Sequence, residues 1–76
     1  MIRLTLVQKD DCALCDEAWA RLAEAGVGDF DPLWIDGDAG LQARYGERIP
    51  VLRREDTGAE LDWPFDANAL REFLPE

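Results

Sequence analysis

The chain has 76 residues, of which eight are basic, 17 are acidic and none is histidine, giving a formal net charge of −9. This length suffices for one small domain and not for two, so residues 1–76 are predicted to form a single domain. A strongly acidic chain repels phosphate backbones, which excludes nucleic acid as an expected partner. No apolar run approaches the roughly 20 residues that span a bilayer. A membrane is therefore not an expected partner either, and we expect a cytoplasmic location.

The first half of the chain shows two different apolar periods. Residues 2–7 alternate between apolar and polar and predict a strand, which runs into a polar loop at 8–11. From residue 12 to 25 the period becomes helical, and the glycines that follow supply a stop signal. Glu17 and Arg21 are spaced as a supporting i, i+4 pair on this helix. Its apolar face is predicted to consist of Leu14, Ala18, Leu22 and Ala25.

The middle of the chain predicts a strand, a short helix and a further strand. Residues 30–36 form the second predicted strand, with Pro32 at its start or on a sheet edge, since proline donates no ladder hydrogen bond. Asp38 is a candidate N-cap for a short helix that Gly46 closes. The run at 51–54 predicts the third strand.

The last third of the chain predicts a hairpin and a final helix. Residues 55–58 have turn composition, so 59–63 is expected to pair back antiparallel on the third strand. Asp66 is placed to cap a helix whose inward residues are Leu70, Phe73 and Leu74. The predicted class is therefore α/β, in the order β-α-β-α-β-β-α, with a four-stranded mixed sheet flanked by helices.

The two cysteines lie where the first strand hands over to the first helix. A thiolate is stabilised at a helix N-terminus by unpaired N–H groups and the helix dipole, which favours Cys12 as the nucleophile. Cys15 follows one turn later, on the same side and within bridging distance, as the resolving thiol. The spacing predicts thiol–disulfide exchange, with Cys12 attacking a substrate disulfide and Cys15 resolving the mixed disulfide.

Other readings of the pair remain open. Free cysteine is often a small buried hydrophobe, in which case neither thiol reacts. Structural zinc requires four ligands, which two cysteines without histidine do not supply, so no metal site is predicted within one chain. An iron–sulfur cluster shared across a dimer is a further alternative, since each chain contributes two cysteines.

The arrangement of these elements and motifs resembles the glutaredoxin-like proteins of the thioredoxin-fold superfamily. The resemblance rests on Cys12-Ala13-Leu14-Cys15 after the first strand, Ile49-Pro50 before the hairpin, and Asp66 at the last helix. In particular the run from Cys12 to Ala18 is similar to the Cys-x-Leu-Cys-Asp-Glu-Ala motif of short glutaredoxin-like proteins of unknown function. The match in element order covers essentially the whole chain.

The resemblance implies a thioredoxin-like fold of the glutaredoxin type and a thiol–disulfide oxidoreductase. It implies a cis Ile49–Pro50 bond opposite the dithiol, with Ile49 offering its backbone to an extended substrate. The partners implied are a protein or small-molecule disulfide and a thiol reductant, with no tightly bound cofactor and a monomeric chain. A non-catalytic thioredoxin-fold binding module, which keeps the groove beside Pro50, is the alternative.

One departure from the glutaredoxin pattern and two basic residues bear on the substrate. Glutaredoxins hold glutathione, the co-substrate that the resemblance suggests, with a Gly-Gly segment. Here residues 61–65 have no glycine pair, and the bulky Trp63 and Phe65 would crowd a backbone approach, so another thiol reductant is equally open. Lys9 and Arg48 are the best candidates to meet a substrate carboxylate.

The surroundings of the dithiol are acidic. Nearby carboxylates oppose a thiolate while the helix terminus favours it, two effects of about 1 kcal/mol each. Trp19, one turn after Cys15, is a candidate for a hydrophobic rim, although core packing is the commoner role of such a residue.

Overall fold

The computed structural model of the protein describes residues 3–74. Its seven elements alternate in the predicted order. They are β1 Leu4–Gln8, α1 Ala13–Glu24, β2 Asp31–Trp34, α2 Ala39–Tyr45, β3 Val51–Arg54, β4 Glu60–Asp62 and α3 Ala67–Phe73.

The four strands form one mixed sheet in the order β2-β1-β3-β4. β1 pairs parallel with β2, with Leu6 opposite Pro32, and antiparallel with β3, with Leu6 opposite Leu52. β3 and β4 form the predicted antiparallel hairpin. β2 is an edge strand, which accommodates Pro32 because an edge position needs no second ladder partner.

Alternation along the central strands sends side chains into two separate clusters. Leu6 and Leu52 pack with the α1 and α3 residues Leu22 and Leu70 in one of them. The second cluster contains Val7, Cys15, Ile35, Tyr45, Ile49 and Val51. Because both sheet faces are covered, all five residues of β1 are buried.

The strand β1 extends one residue further than its polarity predicts. Gln8, which the sequence places in the polar loop, is the last residue of β1 and is 2% exposed. It pairs with Trp34 in the parallel ladder, so the sheet register keeps it buried despite its amide. The predicted start at Ile2 lies outside the described residues.

Helix α1 has the predicted limits but a different inward face. Its buried residues are Cys15, Ala18 and Leu22, whereas Leu14 is 46% exposed. Because successive helical residues differ by about 100°, a face that contains Cys15 leaves Leu14 directed outward. The expected Glu17 pairing is also replaced, since Arg21 forms its ion pair with Glu24 at 2.7 Å.

The short elements follow the capping residues that the sequence indicated. Asp38 Oδ1 accepts the Leu41 N–H at 3.0 Å, and Gly46 is the C-cap of α2. Asp66 Oδ1 accepts the Ala69 N–H at 2.8 Å at the start of α3. The second and fourth strands are shorter than predicted, since a run's composition does not reveal where its pairing partner ends. Among residues 3–74, no helix has the length and apolar character needed to cross a bilayer.

The two leucines of α1 allow a matched test of the inward face. Leu22→Ala is expected to lower the free energy of unfolding by about 3 kcal/mol, because it leaves a cavity in the first cluster. Leu14→Ala, the same change on the same helix, is expected to alter it by less than about 0.5 kcal/mol. Urea denaturation followed by circular dichroism measures both. Equal losses would contradict the assigned face.

Candidate active site

Cys12 and Cys15 lie together at the N-terminus of α1. The structure pairs them as a disulfide, and their Cα atoms are 5.2 Å apart. Cys12 is the N-cap residue, and its Sγ accepts the Cys15 N–H at 3.2 Å. Cys12 is half-buried, whereas Cys15 is 2% exposed in the second cluster. Cys12 is therefore the more accessible of the two cysteines to an incoming molecule.

A sharp turn at Asp11 delivers Cys12 to this position. Asp11 has φ of +52°, a left-handed conformation that aspartate adopts more readily than most residues. The preceding residue is also held, since Asp36 Oδ2 accepts the Asp10 N–H at 2.9 Å. The turn therefore ends β1 and presents the Cys12 cap at the end of α1. The sequence shows these aspartates as acidic residues and does not reveal this backbone role.

The Ile49–Pro50 segment lies beside the dithiol through the second cluster. Its peptide bond is cis, as the resemblance implies, and a second cis bond joins Trp63 and Pro64. Ile49 belongs to the second cluster, which contains Cys15 and against which the half-buried Cys12 packs. The Ile49 N–H already donates to the Tyr45 carbonyl at 3.1 Å. Of its two backbone groups, only the carbonyl lacks a partner among residues 3–74.

Tyr45 holds the Ile49–Pro50 segment in place. Its ring is fully buried, and its hydroxyl donates to Glu60 Oε2 at 2.6 Å. Arg48 contacts the other Glu60 oxygen at 2.8 Å. The Tyr45 hydroxyl, followed by the Arg48 guanidinium, holds the pKa of Glu60 below its ordinary value. This network ties the α2–β3 connection, and with it Ile49, to β4.

The two cations suggested for substrate binding have different positions. Arg48 binds Asp62 at 2.7 Å as well as Glu60, and this pairing raises its pKa. Arg48 is thus part of the network that supports the proline segment and is not open to a substrate carboxylate. Lys9, the only lysine of the chain, is exposed and lines the same depression as Cys12.

An open depression of about 540 Å³ lies in front of the dithiol. Trp19 and Trp34 form a rim around it that we term the tryptophan rim. The two side chains are 45% and 49% exposed, so Trp19 is a rim residue and not a core residue. The remaining lining residues are Gln8, Lys9, Asp10, Asp11, Cys12, Ala13, Cys15 and Asp16. Trp34 was missed in the sequence because its only signal was membership of a short strand.

The segment that replaces the glutaredoxin Gly-Gly pair lies at a second cavity, of about 460 Å³. Phe65 packs in the first cluster and is 4% exposed, and it also lines this cavity. Trp63 is half-buried, and its ring contacts that of Phe65 edge-on at 5.0 Å between centroids. Among residues 3–74, no group of three or more histidine, cysteine or acidic side chains is arranged to hold a metal ion.

A mixed sheet in this order, with a cysteine pair at the start of the first helix and a cis proline before the third strand, defines a thioredoxin-like fold. The sequence matches the glutaredoxin-like domain (DUF836) over residues 3–75, so the chain belongs to this family. Among curated proteins none matches the chain.

Solved structures agree with this assignment. The X-ray structure of target protein XcR50 from X. campestris is 56% identical, with a TM-score of 0.86, and 92% of each chain is covered. Its solution structure, at 55% identity, also gives a TM-score of 0.86 over 96% of this chain and 91% of that one. Protein Ne2328 from Nitrosomonas europaea is 26% identical, with a TM-score of 0.80 over 97% of this chain and 92% of that chain.

The Tyr45–Glu60 contact predicts an acid-sensitive contribution to stability. Because the folded pKa of Glu60 is lowered, its stabilisation is present above about pH 4.5 and is lost as pH falls through the folded value. Glu60→Gln is expected to cost about 1–2 kcal/mol at pH 7 and progressively less below pH 4. Urea titrations from pH 7 to pH 3 measure this difference.

The exposed Glu72 provides the control for this titration. Glu72→Gln removes the same charge outside the network and is expected to change stability by less than about 0.5 kcal/mol. If the difference in free energy of unfolding between the wild type and Glu60→Gln stays constant down to pH 3, the Glu60 charge does not support the Ile49–Pro50 segment.

Proposed function

We propose that this protein is a thiol–disulfide oxidoreductase that uses Cys12 as nucleophile and Cys15 as resolving thiol. The observation that carries the proposal is the asymmetry of the pair. Cys12 is half-buried as the N-cap of α1 and opens on the depression, whereas Cys15 is buried one turn behind it. This arrangement favours attack by one sulfur and resolution by the other.

The reaction transfers two electrons and two protons from the cysteine pair to the substrate disulfide. The Cys12 thiolate attacks one substrate sulfur, the substrate S–S bond breaks, and the first substrate thiolate leaves and takes up a proton. The Cys15 thiolate then attacks Cys12 Sγ, which releases the second substrate thiol and leaves the Cys12–Cys15 disulfide. The substrate is reduced and the protein is oxidised.

Groups of this chain stabilise the Cys12 thiolate and place Cys15 for the resolving step. The Cys15 N–H points at Cys12 Sγ, where it stabilises negative charge without moving. The pair lies at the N-terminus of a 12-residue helix, whose dipole favours the same charge. Cys15 needs little displacement to resolve, because the two Cα atoms lie 5.2 Å apart.

The substrate-binding residues in this proposal are Ile49, Pro50 and Lys9. The Ile49 carbonyl accepts a hydrogen bond from an extended substrate backbone, while its N–H remains on Tyr45. Pro50 is fully buried and holds the segment beside the cluster of Cys15. Lys9 lines the depression and meets a carboxyl group of the substrate. A thiol reductant, glutathione or another, returns the disulfide to the dithiol.

A second candidate function is a binding module that does not cycle its thiols. The observation in its favour is that three large apolar side chains are exposed at the dithiol end: Leu14, Trp19 and Trp34. Exposed apolar patches mark interaction surfaces in catalytic and non-catalytic proteins alike. The redox behaviour of the cysteine pair separates the two functions.

The first experiment is a redox equilibrium in dithiothreitol buffers of graded ratio, read by thiol labelling and intact mass. The wild type is expected to show one reversible two-electron transition, and Cys12→Ser and Cys15→Ser none. If the wild type forms no intramolecular disulfide, the binding module is the better description.

The two serine variants then separate the roles of the sulfurs. With a peptide disulfide, Cys15→Ser is expected to accumulate a mixed disulfide at Cys12, seen as an added peptide mass. Cys12→Ser is expected to reduce the peptide about 10³-fold more slowly or worse, because Cys15 is 2% exposed. Thermal unfolding of both variants controls for folding. An adduct that forms on Cys15 and not on Cys12 would reverse the assignment.

A further inference from the structure

The face around the dithiol combines apolar and acidic groups. Trp34 lies on the edge strand and borders both the dithiol depression and an adjoining cavity of about 310 Å³. The adjoining cavity is lined by Trp34 together with Asp10 and Asp36. We term these three residues the Trp34 subsite. It places an exposed indole beside two carboxylates, and Asp10 and Trp34 also line the dithiol depression.

The carboxylates of this face have no cationic partner within the described chain. Among residues 3–74, no ion pair involves the acidic residues Asp10, Asp11, Asp16 or Asp36. The arginines that form ion pairs bind other acids, for example Arg48 with Asp62 and Arg54 with Asp56. Lys9 alone brings positive charge to the depression. The depression and the adjoining cavity are therefore lined by four carboxylates without an ion pair among residues 3–74, against one lysine, which makes this face strongly negative.

Within the tryptophan rim, Trp19 is held in place by contacts with its neighbours. Trp19 Nε1 donates to Gln8 Oε1 at 2.9 Å, and the Trp19 ring meets Phe30 edge-on with centroids 4.8 Å apart. Gln8 is 2% exposed and lines the depression, and its Nε2 has no partner among residues 3–74. A buried donor without an acceptor costs free energy. A partner carbonyl at this point would satisfy it.

From these observations we infer that the protein selects disulfides carried on positively charged protein segments, in which lysine or arginine flanks the reactive cysteine. A cationic side chain from such a segment stacks on Trp34, between the carboxylates of Asp10 and Asp36. Indole attracts cations through its ring face, and the two carboxylates add Coulomb attraction. The inference rests on the proposed function, since it names the substrate class of the same dithiol.

The charge of the face also argues against anionic disulfides as preferred substrates. A tripeptide thiol such as glutathione carries more carboxylates than amines, so its disulfide is repelled by the same four acids. The aliphatic part of a lysine or arginine side chain covers apolar surface while its charged end remains near the carboxylates. A basic segment is thus complementary to both components of the Trp34 subsite.

A single-turnover assay tests the preference with no added reductant. Three peptides of equal length carry one cysteine flanked by lysine, glutamine or glutamate, and each is linked by a disulfide to 2-mercaptoethanol. The reduced protein converts each to a peptide thiol and mercaptoethanol and ends with the Cys12–Cys15 disulfide, which labelling and mass spectrometry quantify. Rates with dithiothreitol correct for the intrinsic reactivity of each peptide.

The lysine peptide is expected to react about tenfold faster than the glutamate peptide at low salt, after correction. Screening shortens the Debye length from about 30 Å at 0.01 M salt to about 3 Å at 1 M, so the preference should fall to about twofold. This salt arm needs no mutation and is independent of folding. Corrected rates that are equal, or that favour the glutamate peptide, would overturn the inference.

Two matched double variants test whether the Trp34 subsite produces the preference for the lysine peptide. Asp10→Asn with Asp36→Asn removes two charges from the Trp34 subsite, and asparagine at 36 keeps an acceptor for the residue-10 N–H. Asp29→Asn with Glu72→Gln removes two exposed charges elsewhere. The first pair should reduce the lysine preference to about threefold or less, and the second should preserve it. Trp34→Ala should slow the lysine peptide and spare the glutamate peptide.

The glutamine peptide distinguishes failure of the proposed oxidoreductase function from failure of the inferred selectivity. If all three peptides remain oxidised in the presence of the reduced protein while dithiothreitol reduces them, the proposed oxidoreductase function fails and the inference with it. If the protein reduces the glutamine peptide and does not discriminate by charge, the function stands and the basic-segment selectivity is wrong. Loss of preference in both variant pairs would overturn the assignment to the Trp34 subsite.

Discussion

The burial of β1 on both faces is the constraint on which the rest of the structure depends. This strand pairs with β2 and β3, and every one of its residues is covered. Its C-terminal end therefore has no freedom, and the turn at Asp11 starts from a fixed point. Because α1 packs Leu22 against the same strand, both ends of the short β1–α1 connection are held. The dithiol at this connection is consequently placed by the core together with the turn at Asp11.

The same constraint explains the unequal environments of the two sulfurs. Packing of α1 on the sheet directs positions 15, 18 and 22 inward, which buries Cys15. Cys12 precedes the first turn and cannot share that face, so its sulfur turns back toward the Cys15 N–H as a cap. The difference in burial between the two cysteines thus follows from helix geometry. Tyr45, which is bound to Glu60, and Ile49 pack in the same cluster as Cys15.

Charge is distributed unevenly in the molecule, and this distribution has consequences for recognition. At the β3–β4 side, arginines and acids neutralise one another, as in the contacts of Arg48 with Glu60 and Asp62. Exposed ion pairs of this kind add little stability individually. The dithiol end instead carries carboxylates that form no ion pair among residues 3–74, and Trp19 and Trp34 are also exposed there. Acidic and aromatic groups thereby share one surface next to Cys12.

The local sequence was sufficient to predict a feature wherever the interactions that form it involve neighbouring residues. The caps at Asp38 and Asp66, the glycine that closes α2 and the turn before β4 each depend on a few adjacent residues, and all were predicted. The family motif likewise indicated the dithiol and the cis Ile49–Pro50 bond. Periodicity alone misplaced Leu14, because an apolar residue at helical spacing does not reveal which neighbouring position the sheet will cover.

The sequence by itself determined the class of fold, the order of elements and the identity of the cysteine pair, because period, capping and spacing are properties of neighbouring residues. Only the tertiary structure decided that Gln8 is buried, that Arg48 is bound to Glu60 and Asp62, and that the Ile49 N–H is already used. It also decided that Trp34 joins the rim of the dithiol depression. Each of these outcomes depends on residues far apart in the chain, whose approach is set by sheet register and packing and by nothing in the local sequence.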